Sequence, residues 1–206
     1  FRDLRSVAEA KPVVAVMGDL ATSAGYMTAI GADHIVAHPG SLTGSIGVIM
    51  QSADVTGLLD KLGIEPQVVK SAPLKAQPNP LEPFGPEARE ATRAVVRDVF
   101  ELFVELVAER RGMARERVLD LADGRVFTGR QSVANGLIDG LGGEAEARQW
   151  LTEVHGVDEG LPARAVEIPR DDRWWRWLIE SVVGKTVFSE RLRLDGLVSV
   201  WHPEGR

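Results

Sequence analysis

The chain has 206 residues, 44% hydrophobic and 26% charged, which is enough for one substantial core of ordinary globular composition. A net charge of −6 leaves no basic surface for nucleic acid, and the absence of cysteine excludes disulfides, thiolate metal sites and a cysteine nucleophile. No run reaches the ~18 consecutive apolar residues that a membrane-spanning helix needs, and there is no charged, apolar and small-residue succession of the signal-peptide kind.

Phe1 to Ala10 reads as the end of a helix, with Phe1, Leu4, Val7 and Ala8 at helical spacing. A helix that starts mid-pattern without a cap predicts further sequence upstream. Pro12 to Met17, apolar on both faces, predicts a buried parallel strand. Ala21 to Ala32 is rich in small residues and predicts a tightly packed helix. Asp33 to Ala37 predicts a strand ending at the turn His38-Pro39-Gly40. Ser45 to Met50 predicts a third strand, Val55 to Leu62 a helix closed by Gly63, and Pro66 to Lys70 a fourth strand.

Between Ala72 and Pro86 five prolines rule out a regular helix or a central strand and predict an irregular loop. Loops of that length without structure of their own are usually functional or disordered. A long helix follows, with Pro86 at its start, Glu87 and Glu90 in its first turn and Arg110-Arg111-Gly112 at its end. Ala88, Ala91, Val95, Val99, Leu102, Phe103 and Leu106 supply its apolar face. Arg115 to Asp123 predicts a shorter helix, Gly124 to Gly129 a strand or turn, and Arg130 to Asn135 a helix closed by Gly136. Leu137-Ile138-Asp139 then enters a glycine-rich turn. Strands alternating with helices predict an α/β fold with crossover connections. Trp174, Trp175, Trp177 and Trp201 set the tail apart from the rest.

Ser23 stands among small residues in Ala21-Thr22-Ser23-Ala24-Gly25-Tyr26. There a serine at a helix start can attack an acyl carbon while neighbouring N–H groups hold the oxyanion; on spacing alone, an N-cap is the more frequent reason for such a serine. A serine nucleophile needs a base. None of the four histidines, His34, His38, His155 and His202, has a motif context. A lysine is the alternative, but free lysine titrates near ~10.4 and must be desolvated to act. Lys75 lies in the uncharged stretch Pro73-Leu74-Lys75-Ala76-Gln77-Pro78, and Lys70 is its rival; most lysines are solvated surface charges, and composition does not separate the options. Ser45, in Thr43-Gly44-Ser45-Ile46-Gly47-Val48, either orients a lysine amine or caps a glycine-flanked bend.

Taken in order, Lys11 to Gly18, Ala21 to Tyr26, Ala32 to Ala37, Thr43 to Val48, Gly124 to Gly129 and Gly136 to Asp139 resemble the signal peptide peptidase A family of serine proteases, peptidase family S49. The resemblance runs from the start of the chain to about Trp150. It implies a Clp protease/crotonase-like fold of repeated ββα units whose N-terminal part is missing, with a catalytic domain over 1–150 and a Trp-rich extension over 151–206. It implies Ser23 as nucleophile, Lys75 as general base, Ser45 as the serine that hydrogen-bonds the lysine, and the Ala24 backbone N–H as oxyanion donor. Ser23-Ala24-Gly25 departs from the family's Ser-Gly-Gly, though alanine keeps the backbone donor. The resemblance also implies a second oxyanion donor and a membrane anchor, both upstream of residue 1. It implies no cofactor or metal, peptide substrates such as remnant signal peptides, and homo-oligomers in which the lysine reaches the serine across a protomer interface. The compartment it implies is the bacterial inner membrane, with the catalytic domain facing outward. Two rivals are a crotonase-like acyl-CoA enzyme and a non-catalytic interaction module that binds through the tryptophans. The first usually needs a carboxylate at the reacting centre, and no Glu lies between Ala10 and Ile64.

Overall fold

In the computed structural model, which describes residues 1–166, a helix at Arg2–Ala8 (α1) leads into a strand at Val14–Met17 (β1). Gly18-Asp19 separates it from a second strand, Leu20–Thr22 (β2), which runs directly into a helix at Ala24–Ala29 (α2). The pattern repeats with His34–Ala37 (β3), Leu42–Gly44 (β4) and a helix at Thr56–Lys61 (α3). β1 pairs parallel with β3 in one sheet, and β2 pairs parallel with β4 in another, so each ββα unit gives one strand to each sheet. This is the repeated ββα arrangement of the Clp protease/crotonase-like fold.

The rest of the chain fastens these units together. Pro86–Arg111 (α4) and Arg115–Leu121 (α5) precede Val126–Thr128 (β5), which joins β4 antiparallel. Gly129–Asn135 (α6) leads to Gly140–Leu141 (β6), which extends the first sheet beside β3, and Glu144–His155 (α7) follows. The first compact unit is Phe1–Leu161, a second begins at Pro162, and α7 is continuous across position 150.

Two carboxylates hold the strand ends. Asp33 accepts from the Val13 N–H at 3.0 Å and from Arg5 at 2.9 Å; burial works against its charge, but these two donors outweigh it and keep the carboxyl below its usual range. Asp139 accepts from the Ile35 N–H at 2.7 Å and from Arg111 at 2.7 Å, tying β3 to the end of α4. Arg110 donates to the Ile30 and Ala32 carbonyls at 2.8 and 2.9 Å, satisfying acceptors that the end of α2 leaves open. Tyr26 and Ile30 on α2 meet Ile35, Phe103, Val107 and Leu137 in the core. The Tyr26 hydroxyl donates to the Leu137 carbonyl at 2.8 Å, and burial pushes its pKa well above the usual tyrosine range.

Several expected elements differ. β1 is not buried on both faces: it lies at a sheet edge, and Val16 is 44% exposed. Within Ala21 to Ala32 the chain is first strand and then a shorter helix. Ser45 to Met50 is not a strand, because Gly44 and Ser45 have φ of 77° and 51°, which turns the chain out of the ladder where β4 ends. Pro66 to Lys70 forms no strand; Val68 and Val69 are exposed and no strand of the described residues pairs with them. On α4 the expected face is covered only in part: Ala88 and Phe103 are buried, Val95, Val99 and Leu102 are exposed, and Val104 and Val107, outside that face, are buried instead. The helix α7 was not expected at all.

Among the described residues no helix is long and apolar enough to cross a membrane, and no cluster of side chains is arranged to hold a metal ion. The clustered tryptophans Trp174, Trp175, Trp177 and Trp201 lie outside the described residues.

Candidate active site

β2 and β4 run parallel with Leu20 opposite Leu42, Ala21 opposite Thr43 and Thr22 opposite Gly44. Ser23 and Ser45 therefore follow directly at the carboxyl ends of adjacent strands. The buried Thr43 hydroxyl donates to the Ala21 carbonyl at 2.7 Å, which adds a side-chain tie to the ladder. The Ser23 N–H donates to the Gly44 carbonyl at 2.8 Å, and the Ser23 carbonyl accepts from the Met27 N–H at 2.9 Å as α2 begins.

Held from both sides in this way, Ser23 has φ 52° and ψ −117°, a conformation that L-residues rarely adopt. Residues in sparsely populated backbone regions cost about 1–3 kcal/mol and persist where the surroundings over-determine them, which is common at active sites. Ser23 occupies the N-cap position of α2, but its side chain makes no cap hydrogen bond. The hydroxyl is thus free of the usual N-cap role. The next two N–H groups, of Ala24 and Gly25, are on exposed residues in the first turn and have no protein acceptor among the described residues. A reactive hydroxyl on a strained strand-to-helix turn, beside unpaired backbone donors, is the geometry that acyl transfer uses.

Ser45 is half-buried, and its N–H donates to the Arg125 carbonyl at 2.9 Å. Its position depends on Gly44. A Cβ there would lie 2.7 Å from Phe127 Cδ2 and 3.4 Å from the Arg125 carbonyl, at a φ of 77°. Only glycine lets β4 turn there while β5 stays paired.

Lys75 lies elsewhere, on an exposed loop between α3 and α4. Its N–H donates to the Ala72 carbonyl at 3.1 Å, while its ammonium has no hydrogen-bonding partner among the described residues. Within this chain it bonds to neither Ser23 nor Ser45. Lys70, its rival, is committed to an ion pair with Glu82. The structure therefore brings the two serines and Ala24 together and leaves Lys75 apart from them.

Two of the histidines with described positions pack on Trp150. His34 stacks on Trp150 at 4.6 Å between ring centroids, 3.8 Å from Asp139, and burial lowers its pKa. His155 packs against the other side of the same cluster, 4.8 Å from the Trp150 ring. His38 sits in a tight turn, where its carbonyl would lie 2.2 Å from a Cβ at Gly129. Ser41 and Ser132 are sealed in the core with partnerless hydroxyls, so neither competes with Ser23 as a nucleophile. Sequence reasoning overlooked Glu82, and the signal available was a lone carboxylate inside a proline-rich loop that also carries Lys70.

The model of peptidase family S49 matches residues 5–158. "Putative protease slr0021" of Synechocystis sp. is 39% identical over 158 residues, covering 77% of this chain and 57% of its own length. "Serine protease SPPA, chloroplastic" of Arabidopsis thaliana is 35% identical over 202 residues, covering 96% of this chain and 29% of its own length. "Protease 4" of Salmonella typhi is 36% identical over 135 residues, covering 66% of this chain and 22% of its own length. Among solved structures, an enoyl-CoA hydratase from Thermoplasma volcanium aligns with a TM-score of 0.39 at 15% identity, over 77% of this chain and 48% of that one. The chain spans less than two thirds of the length of each of these proteins. With ββα units that alternate between two sheets and a family match over most of its length, the chain belongs to peptidase family S49, the signal peptide peptidase A family.

Proposed function

We propose that the chain carries the nucleophile and base of a serine endopeptidase that works through a Ser-Lys dyad, Ser23 and Lys75. The observation that carries this reading is the backbone of Ser23, held at φ 52° with no cap bond and followed by the unpaired N–H of Ala24. In the proposed reaction the neutral Lys75 amine takes the proton of Ser23 Oγ as that oxygen bonds to the scissile carbonyl carbon. The Ala24 N–H donates to the resulting oxyanion. The C–N bond breaks as the Lys75 ammonium protonates the departing amine, leaving an acyl ester on Ser23. Lys75 then takes a proton from water, whose oxygen attacks the ester, and Ser23 Oγ leaves with that proton returned to it. Ser45 accepts a hydrogen bond from the lysine and orients it.

Because Lys75 is exposed and its ammonium has no partner among the described residues, the reading has Lys75 of one protomer meet Ser23 of its neighbour in a homo-oligomer. The exposed apolar residues Ile64, Val68, Val69 and Leu74 leading up to Lys75 are consistent with burial against another copy. Peptides derived from membrane insertion, remnant signal peptides among them, are the proposed substrates. The proposed setting is the outer side of the bacterial inner membrane.

Fluorophosphonate labelling with mass spectrometry, on the full-length protein, tests the reading. Labelling at Ser23 that disappears in Lys75→Ala is the expected result, together with loss of peptide cleavage by at least ~10³-fold in Ser23→Ala. Cleavage at the parental rate by Ser23→Ala overturns it.

A further inference from the structure

The loop that carries Lys75 contains no helix or strand, yet three of its side chains converge on one atom. Glu82 Oε2 accepts from Lys70 Nζ, from Gln77 Nε2 at 2.6 Å and from Asn79 Nδ2 at 2.8 Å. Asn79 extends the closure: its amide also donates to the Ala76 carbonyl at 3.1 Å, and its Oδ1 accepts from the Leu81 N–H at 2.9 Å. The Pro80 carbonyl accepts from the Val55 N–H at 3.0 Å, which fastens the closed loop to the start of α3. Lys70 and Glu82 stand twelve positions apart, and Lys75 lies between them.

Hydrogen bonds to a carboxylate are roughly twice as strong as neutral ones. Fixing a loop residue costs about 1–2 kcal/mol of backbone entropy, so a loop without a core of its own needs such bonds to hold one shape. The tip has only local turns, Lys75 N–H to the Ala72 carbonyl and Gln77 N–H to the Leu74 carbonyl at 3.2 Å. Its placement is therefore inherited from the closed base. The same closure explains why Lys70 is not the base, since its ammonium is already spent on Glu82.

We infer that Glu82 is a positioning residue, which closes the loop through Lys70, Gln77 and Asn79 and so sets where the Lys75 amine is presented. The inference rests on the reading of Lys75 as general base. Lys75 acts in the chemical steps and not in holding peptide, so loosening its loop lowers kcat and spares KM. A misplacement of about 1 Å at a reacting group costs up to about 10²-fold in rate.

The test uses the full-length protein with Glu82→Ala, Glu82→Gln and the charge-swapped pair Lys70→Glu with Glu82→Lys. In Glu82→Ala, kcat and the rate of Ser23 labelling by fluorophosphonate fall together by about 10- to 100-fold, with KM within about twofold and the melting temperature nearly unchanged. Glu82→Gln, which keeps an acceptor but no charge, falls between Glu82→Ala and the parent. The swapped pair, which restores the ion pair but offers Gln77 and Asn79 no carboxylate to donate to, recovers only part of the loss. Unchanged kcat in Glu82→Ala and Glu82→Gln overturns the inference, as does a loss of rate that tracks a loss of folded protein in every variant. A Lys75→Ala control separates the two levels. If Lys75→Ala keeps its activity, the dyad itself has failed and the role of Glu82 falls with it. If Lys75→Ala is inactive and the Glu82 variants are not impaired, only the role of Glu82 fails.

Discussion

The two halves of the candidate site are built by different physics. The serine half is made of backbone: Ser23 and Ser45 are placed by a parallel ladder, by the Ser23 N–H to Gly44 and Ser45 N–H to Arg125 bonds, and by a glycine with no room for a Cβ. The lysine half is made of side chains, with Lys70, Gln77 and Asn79 gathered on Glu82 over an exposed loop. The first is a fixed ledge that stores strain at Ser23, the proposed nucleophile. The second is an arm held closed by a carboxylate, so its shape depends on charge and therefore on pH.

The sharpest way to break the ledge is Gly44→Ala. The new methyl meets Phe127 at 2.7 Å in a left-handed conformation, and urea unfolding should show a loss of about 2–4 kcal/mol, together with loss of Ser23 labelling. Strain at Ser23 is isolated by comparing Ser23→Gly with Ser23→Ala. Both remove the hydroxyl, but only glycine is at ease at φ 52°, so Ser23→Gly should unfold about 1 kcal/mol later than Ser23→Ala. Equal stabilities would mean that the turn carries no strain.

The arm should respond to acid and the ledge should not. The Glu82 carboxyl is held below its usual range, first by the hydrogen bond from Lys70 and then by that from Asn79. A pKa lowered by folding gives a contribution that is fully present above the unfolded value, about 4.3, and is lost as pH falls through the depressed one. Amide exchange in residues 70–82 should therefore lose protection below about pH 4, while the amides of Ser23 and Ser45 stay protected. Protection lost in both regions at once would show that they are not independent.

What the sequence made legible follows the same division. The helix α4 was readable at both ends, because Pro86 and the left-handed Gly112 are local signals. Ser23 was readable as a serine among small residues at a helix start, but its strain was not, since φ 52° goes with bonds to Gly44 and Met27 that no local pattern records. Ser45 to Met50 and Pro66 to Lys70 have β-branched residues that favour strands, yet a strand also needs a partner. Gly44-Ser45 turns the first segment away, and the second meets none among the described residues. β2 was hidden because its short run of Leu20, Ala21 and Thr22 looks like the start of the helix it feeds. The apolar stripe expected on α4 missed the covered face in part: Val95, Val99 and Leu102 are exposed while Val104 and Val107 are buried, because periodicity does not say which apolar residues the rest of the chain covers. Glu82 went unnoticed because its three partners converge only in space.

The bond from the Ser45 N–H to the Arg125 carbonyl has a consequence for biosynthesis. Ser45 is made first, and the residue that holds its N–H, at the edge of β5, is made eighty residues later. A nascent chain that has passed Lys75 already contains every residue of the proposed dyad, yet it lacks the β5 edge that holds Gly44 and Ser45 in their turn. The ledge is therefore completed only after Val126–Thr128 has been delivered and paired, so a chain shorter than this holds both residues of the proposed dyad without the turn that places Ser45.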